Sequence, residues 1–223
     1  IYCIMCDFCK SMEQTYIAAT LGNMVASAAT RGLNGASGSI DFTDTLLSGL
    51  QTGTAFIAYP VACQYLKKTS KDFKKNFEDP NGNKLLVYIE AGALGAGICT
   101  LLNYPISTIQ KNRKGAKQSF SPKGFAGFYA DQVGSSIGFA ATNGTLQSII
   151  PVPKNSVLAY VRNHFCVNVA NIGGKCLAFP IHHLRHGSTL TGMIGGYIPS
   201  IPGVIITGDA TNHFKNVLGF MVQ

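Results

Sequence analysis

Three cysteines, Cys3, Cys6 and Cys9, stand at three-residue spacing near the start of the chain, and His182, His183 and His186 stand close together near the other end. Thiolates and imidazoles are the side chains that zinc sites and iron–sulfur clusters use, so metal chemistry is the first reading of both groups. A four-ligand cluster needs a fourth ligand, and no nearby cysteine supplies one. On a helix, that spacing would simply put the three thiols on one face. The histidines have no acidic or thiolate companion at ligand spacing, so they read as a helix-end cluster near lipid head groups. No metal and no cofactor is expected from either group. A phosphate-cradling glycine loop, a dinucleotide fingerprint and a Ser-His-Asp arrangement are all missing, so the chain is expected not to be an enzyme.

The other cysteines sit among apolar residues. Of the seven in the chain, Cys63, Cys99, Cys166 and Cys176 lie in or beside apolar stretches, where a thiol behaves as a small hydrophobe. An odd count beside long apolar runs argues against a disulfide framework.

Charge is scarce, and its distribution is informative. Asp, Glu, Lys and Arg make up 13% of the 223 residues, about half the share usual in a soluble domain. The mean hydropathy of +0.19 suits helices lined by Gly, Ala, Ser and Thr better than Leu-rich anchors. The net charge of +8 sits mostly in two connections. Lys67, Lys68, Lys71, Lys74, Lys75 and Lys84 crowd one, closed by a turn at Asp79-Pro80-Asn81-Gly82. Lys111, Arg113, Lys114, Lys117 and Lys123 crowd the next. No basic helix face with interleaved aromatics is present, so nucleic acid is not an expected partner. Anionic lipid head groups are.

Six windows contain no Asp, Glu, Lys or Arg: residues 14–30, 45–66, 91–110, 132–153, 163–174 and 187–208. A bilayer core of roughly 30 Å needs about 20 helical residues. Four windows meet that length and the first is close. The fifth reaches it if Arg162 and Lys175 snorkel or face a wet interior. The expected spans are therefore near 14–31, 45–66, 86–110, 130–151, 157–184 and 188–214, in one transmembrane domain over residues 1–223. Glu90 and Asp131 open the third and fourth spans, at a membrane boundary. Small residues recur one helical turn apart in five windows: Gly22 and Ala26, Gly49 and Gly53, Ala91 and Gly95, Gly134 and Gly138, Gly192 and Gly196. Such spacing lets helix backbones approach closely in lipid.

The third and fifth spans carry a repeated pattern. One runs through Gly95, Gly97, Asn103 and Tyr104 into Pro105-Ile106-Ser107-Thr108-Ile109-Gln110-Lys111. The other runs through Gly173, Gly174 and Phe179 into Pro180-Ile181-His182-His183-Leu184-Arg185. Between them stand Gly124, Phe125, Gly127 and Phe128. From about Thr45 to Lys215 the chain resembles the mitochondrial carrier family, whose odd helices end in Pro-x-acid-x-x-base. The resemblance implies an all-α, six-helix, pseudo-threefold bundle in the inner mitochondrial membrane. Its odd-helix motif positions fall on Pro105, Ser107 and Gln110, and on Pro180, His182 and Arg185. The even-helix positions fall on Gln64 and Lys67, and on Asn212 and Lys215. In the family, acid and base of these motifs pair to close a cavity. Here the acid slots hold Ser107, His182, Gln64 and Asn212, so a gate built on such pairs loses most of its latch. Anionic metabolites would need cavity cations, for which Arg31, Arg162 and Lys175 are the candidates, with Arg185 beside them. The expectation is a degenerate carrier serving as an accessory subunit of a larger membrane assembly, such as a respiratory-chain complex. The alternative is an active, divergent carrier of a small metabolite.

Overall fold

The computed structural model describes the backbone of residues 2–33 and 41–221, and side chains for 7–30 and 41–219. The described residues are helical, with no strand among them. The helices are α1 (Tyr2–Leu33), α2 (Phe42–Thr69), α3 (Lys71–Glu78), α4 (Lys84–Arg113), α5 (Pro122–Ile149), α6 (Ser156–His186), α7 (Leu190–Tyr197) and α8 (Ile201–Met221), with a 3₁₀ turn at Ile198–Ser200 before α8.

The first five expected spans each fall on one long helix and the sixth does not, and the bounds differ in three places. Helix α1 starts at Tyr2, well before residue 14, so the cysteine spacing lies on helix; Cys9 is exposed, and the side chains of Cys3 and Cys6 lie outside the described residues. Helix α5 stops at Ile149 rather than 151. Pro151 follows Ile150, and the residue before a proline is pushed towards extended backbone, as at Ile150 (φ −95°, ψ 109°). The sixth span is not one helix over 188–214. Pro199 and Pro202 each remove a backbone donor, and the chain passes from α7 through the 3₁₀ turn into α8 there.

A further helix, α3, fills the first lysine-rich connection. Ser70 caps it by accepting from the Phe73 N–H at 3.1 Å. Lys84 donates to the carbonyls of Asn76, Phe77 and Asp79 at its other end (3.0, 3.0 and 2.7 Å). Phe73 is buried against Cys63, Val87 and Ala91, and the Lys67 ammonium sits 3.6 Å over the Phe77 ring. Lys68, Lys71, Lys74 and Lys75 are exposed around this anchor.

The chain divides into two compact units. One holds Ile1–Ala58, Leu101–Phe120 and Ser200–Gln223; the other holds Tyr59–Thr100 and Ser121–Pro199. In both, the interior is made of small residues and the surface carries the large apolar ones. Ala18, Ala19, Ala26, Thr20, Thr54 and Thr108 are buried in the first unit, and Ala91, Ala96, Ala170, Ala178, Cys166 and Thr100 in the second. Leu21, Val25, Leu101, Phe165, Leu177 and Leu184 are exposed. Phe73 is the one aromatic ring among the largest fully buried side chains. Two segments, Lys84–Arg113 and Leu190–Gly219, are long and apolar enough to cross a membrane by length and composition.

Glycines set the closest approaches. In the first unit, a Cβ at Gly22 would meet the Thr207 carbonyl of α8 at 2.8 Å, and one at Gly49 or Gly53 would meet the carbonyl of Thr20 or Tyr16 of α1 at 2.8 Å. In the second unit, a Cβ at Gly134 would lie 2.8 Å from Ala178 Cα, and one at Gly174 would lie 2.7 Å from the Ser135 carbonyl. Only hydrogen fits there. Gly192 and Gly196 differ: Gly196 meets nothing within 4 Å, and Gly192 meets only the Thr189 hydroxyl that caps its own helix. Six buried threonine hydroxyls are satisfied without leaving their helix. Thr20, Thr54, Thr100, Thr108, Thr207 and Thr211 each donate to the carbonyl four residues back, at 2.6–3.0 Å.

Candidate functional site

In the second unit, α5 and α6 form an antiparallel hairpin with an arginine of α6 at each end. Arg162 is buried, at 7% exposure. Its Nε donates to the Ile150 carbonyl at 2.9 Å, and its NH2 to the Gln147 carbonyl at 3.1 Å, with further bonds to the Gln147 and Asn163 side chains. These acceptors are carbonyls that the end of a helix leaves open. Arg162 therefore caps α5 from outside, and a cation at a helix C-terminus is electrostatically favoured. Arg162 is thus not the cation open to a cavity that the sequence led us to expect: its described partners are the end of α5 and Asn163.

Arg185 bonds the Gly127 carbonyl and pairs with Asp131, both on α5. Arg162 and Arg185 stand 23 positions apart, which at 1.5 Å per residue is roughly 34 Å. Between them run Gly174 and Ala178 on the packed side and exposed Phe165 on the other, with Leu177 half-exposed at the edge of the seam beside Gly138. Lys175 lies 5.3 Å from the Tyr197 ring, and Tyr197 donates to Asn168 Oδ1 at 2.6 Å.

Asp131, the acid that opens the fourth expected span, lies at the other end of the hairpin from Arg162. It faces His182 (Nε2 to Oδ1, 3.9 Å) and His186 (Nε2 to Oδ2, 3.4 Å) as well as Arg185. It supplies the acidic companion that the histidine spacing alone did not show. His183 turns elsewhere, with Nδ1 2.9 Å from the Ser188 carbonyl, beside the C-cap Gly187, whose φ of +64° suits a residue without a Cβ.

In the first unit, the start of α2 meets the end of α4. Arg113 reaches Asp41 at 3.2 Å and Asp44 at 3.8 Å, and Lys114 reaches Asp44 at 3.0 Å. The Asp44 N–H, accepted by Asp41 at 3.1 Å, and then the Arg113 guanidinium hold the Asp41 carboxyl below its ordinary range. Gln110, at the base position of the first motif copy, donates to the Asp44 carbonyl at 3.3 Å. Deeper in, Asn103 donates to the Gln51 carbonyl at 3.2 Å. Beside these groups lies a cavity of about 420 Å³ lined by Ser27, Thr30, Thr45, Ser48, Gln51 and Gln110, together with Asp44 and Lys114.

The remaining motif positions are spread out. Pro105 and Ser107 are half-buried on α4, Gln64 is half-buried on α2, and Pro180 is exposed on α6. Asn212 and Lys215 are exposed on α8, and the Arg31 side chain lies outside the described residues. No family model, curated protein or solved structure matches the chain.

Proposed function

We propose that the chain is an integral membrane protein of carrier-like, six-span design that serves as a structural subunit of a larger membrane assembly. The observation that carries the membrane reading is the inverted packing, with Ala, Gly and Thr inside and Leu, Phe and Val outside. In water a large exposed apolar surface calls for a covering. In lipid, small residues let helices approach and large ones face the acyl chains. The hydroxyls bonded within their own helices suit the same solvent, because lipid offers no replacement partner.

The subunit reading rests on the motif positions. Gln110 and Arg185, which occupy base slots of the carrier pattern, are engaged by Asp44 and Asp131 on neighbouring helices of their own units. Neither lies opposite an acid of another motif copy, since Ser107 and His182 fill the acid slots of the odd helices. A bundle so built holds its helices together without the alternating ion pairs of a gate. The inner mitochondrial membrane is the setting that the family resemblance suggests, and a respiratory-chain complex is one such assembly within it. The exposed lysines around α3 suit anionic head groups.

One observation favours a second reading, transport of a small metabolite. The 420 Å³ cavity of the first unit is lined by hydroxyls and amides, together with the paired Asp44 and Lys114, and could hold a small polar solute. Native fractionation of the source membrane separates the two. Co-migration with a large complex is the expected outcome; migration only as a free monomer, together with solute exchange in liposomes, would sink the subunit reading.

A further inference from the structure

We propose that Asp131, His182 and His186 form a binding site for one divalent transition-metal ion of the zinc class. His182 and His186 lie one turn apart on α6 with ring centroids 5.0 Å apart, and Asp131 faces both from α5. One ligand atom from each of the three residues lies within 4.8 Å of the others. Zinc bonds of about 2.0–2.2 Å place tetrahedral ligands roughly 3.4 Å apart. The cluster therefore needs a contraction of up to about 1.4 Å, towards which the half-exposed His186 ring can turn.

A second observation points to a ligand. Asp131 Oδ1 and His182 Nδ1 are buried atoms with no hydrogen-bond partner among the described residues. A buried polar atom without a partner is costly, and an ion that takes a carboxylate lone pair removes that cost at Oδ1. Arg185 bonds the other carboxylate oxygen, Oδ2. The ion enters through Oδ1 while Arg185 keeps the carboxylate oriented, as outer partners of ligating carboxylates do. Three protein ligands leave one tetrahedral position for water, a composition of open rather than closed zinc sites. The site pins the start of α5 to the end of α6, the same join that Arg185 makes. Arg185 is thus a positioning residue and not a ligand.

The test is zinc titration of the full chain in detergent, with Cys3, Cys6 and Cys9 replaced by Ser so that the thiols do not compete. One equivalent of zinc is expected to bind, and cobalt in its place should give the visible absorption of a tetrahedral site. His182→Ala, His186→Ala and Asp131→Asn should each weaken binding by more than about tenfold. His183→Ala, which removes the neighbouring imidazole, should leave the affinity unchanged. Arg185→Gln breaks the same ion pair as Asp131→Asn but keeps all three ligands, so it should retain stoichiometric binding and thereby separate ligand loss from loosening of the hairpin. The proposal is overturned if no saturable equivalent binds, if His182→Ala binds as well as the parent, or if His183→Ala loses as much as His182→Ala.

Discussion

Two helix seams use the same glycine device and finish it differently. Between α1 and α8, Gly22 admits the Thr207 backbone, and Thr207 and Thr211 beside it turn their hydroxyls back on their own helix. Between α5 and α6, Gly134, Gly138 and Gly174 admit the facing backbone just as closely, but Arg162 and Arg185 also tie the ends across the seam. Close backbone contact is indifferent to small rotations and slips. Directional bonds at both ends of one helix are not. The difference teaches that small residues bring helices together, whereas the arginines fix which turn of α6 faces which turn of α5.

Removing the buried end should break this contrast most sharply. Arg162→Met leaves the Gln147 and Ile150 carbonyls without their charged donor and should destabilise the hairpin by about 3 kcal/mol, read as earlier loss of helical signal in a denaturant titration. Filling the seams comes next. Gly134→Val and Gly22→Val should each cost about 2 kcal/mol; a much smaller loss at Gly22 would mean that the α1–α8 seam adjusts where the clasped one cannot. Arg185→Ala, at the half-exposed end, should cost about 1 kcal/mol in the same titration. Gly196→Ala is the counter-case, because nothing lies within 4 Å of its added methyl. It should stabilise α7 by roughly 0.5–1 kcal/mol through helix propensity, and a loss there would reveal a hidden packing partner.

The smallest effect belongs to the ion pairs of the first unit. The Asp41 carboxyl is held below its ordinary value, so its contribution is fully present above the unfolded pKa and is lost as the pH falls through the lower folded one. The Asp41 side-chain carbonyl resonance, followed by NMR, should titrate below the usual aspartate range, and Arg113→Gln should move it back up.

The helices were legible because charge is excluded over long windows, a property of single segments. Gly22, Gly49, Gly53, Gly134 and Gly138 meet a facing helix as their spacing suggested, Ala91 and Gly95 are buried, and Gly192 with Gly196 has no facing helix among the described residues. Spacing reports that a close approach is possible, whereas the partner is a tertiary fact. The same limit hid Asp131, which lies 51 positions before His182 and meets it only because α5 and α6 are antiparallel. Arg162 was readable as an interior cation, but not as a cap on α5, since that depends on Pro151 ending the helix within its reach. Helix α3 did have a local signal. Ser70 stands three residues before Phe73, and Phe77 follows one turn later, so a cap and an apolar face lay among the lysines.

The threonines that bond their own helices carry one more consequence. A helix whose hydroxyls are already occupied one turn back exposes little unmet polarity during insertion. On the membrane reading, each such segment could enter the bilayer alone, at the pace of synthesis, and find its neighbours afterwards. Assembly would then be a search in two dimensions among ready-made rods, with glycine stripes deciding which rods meet.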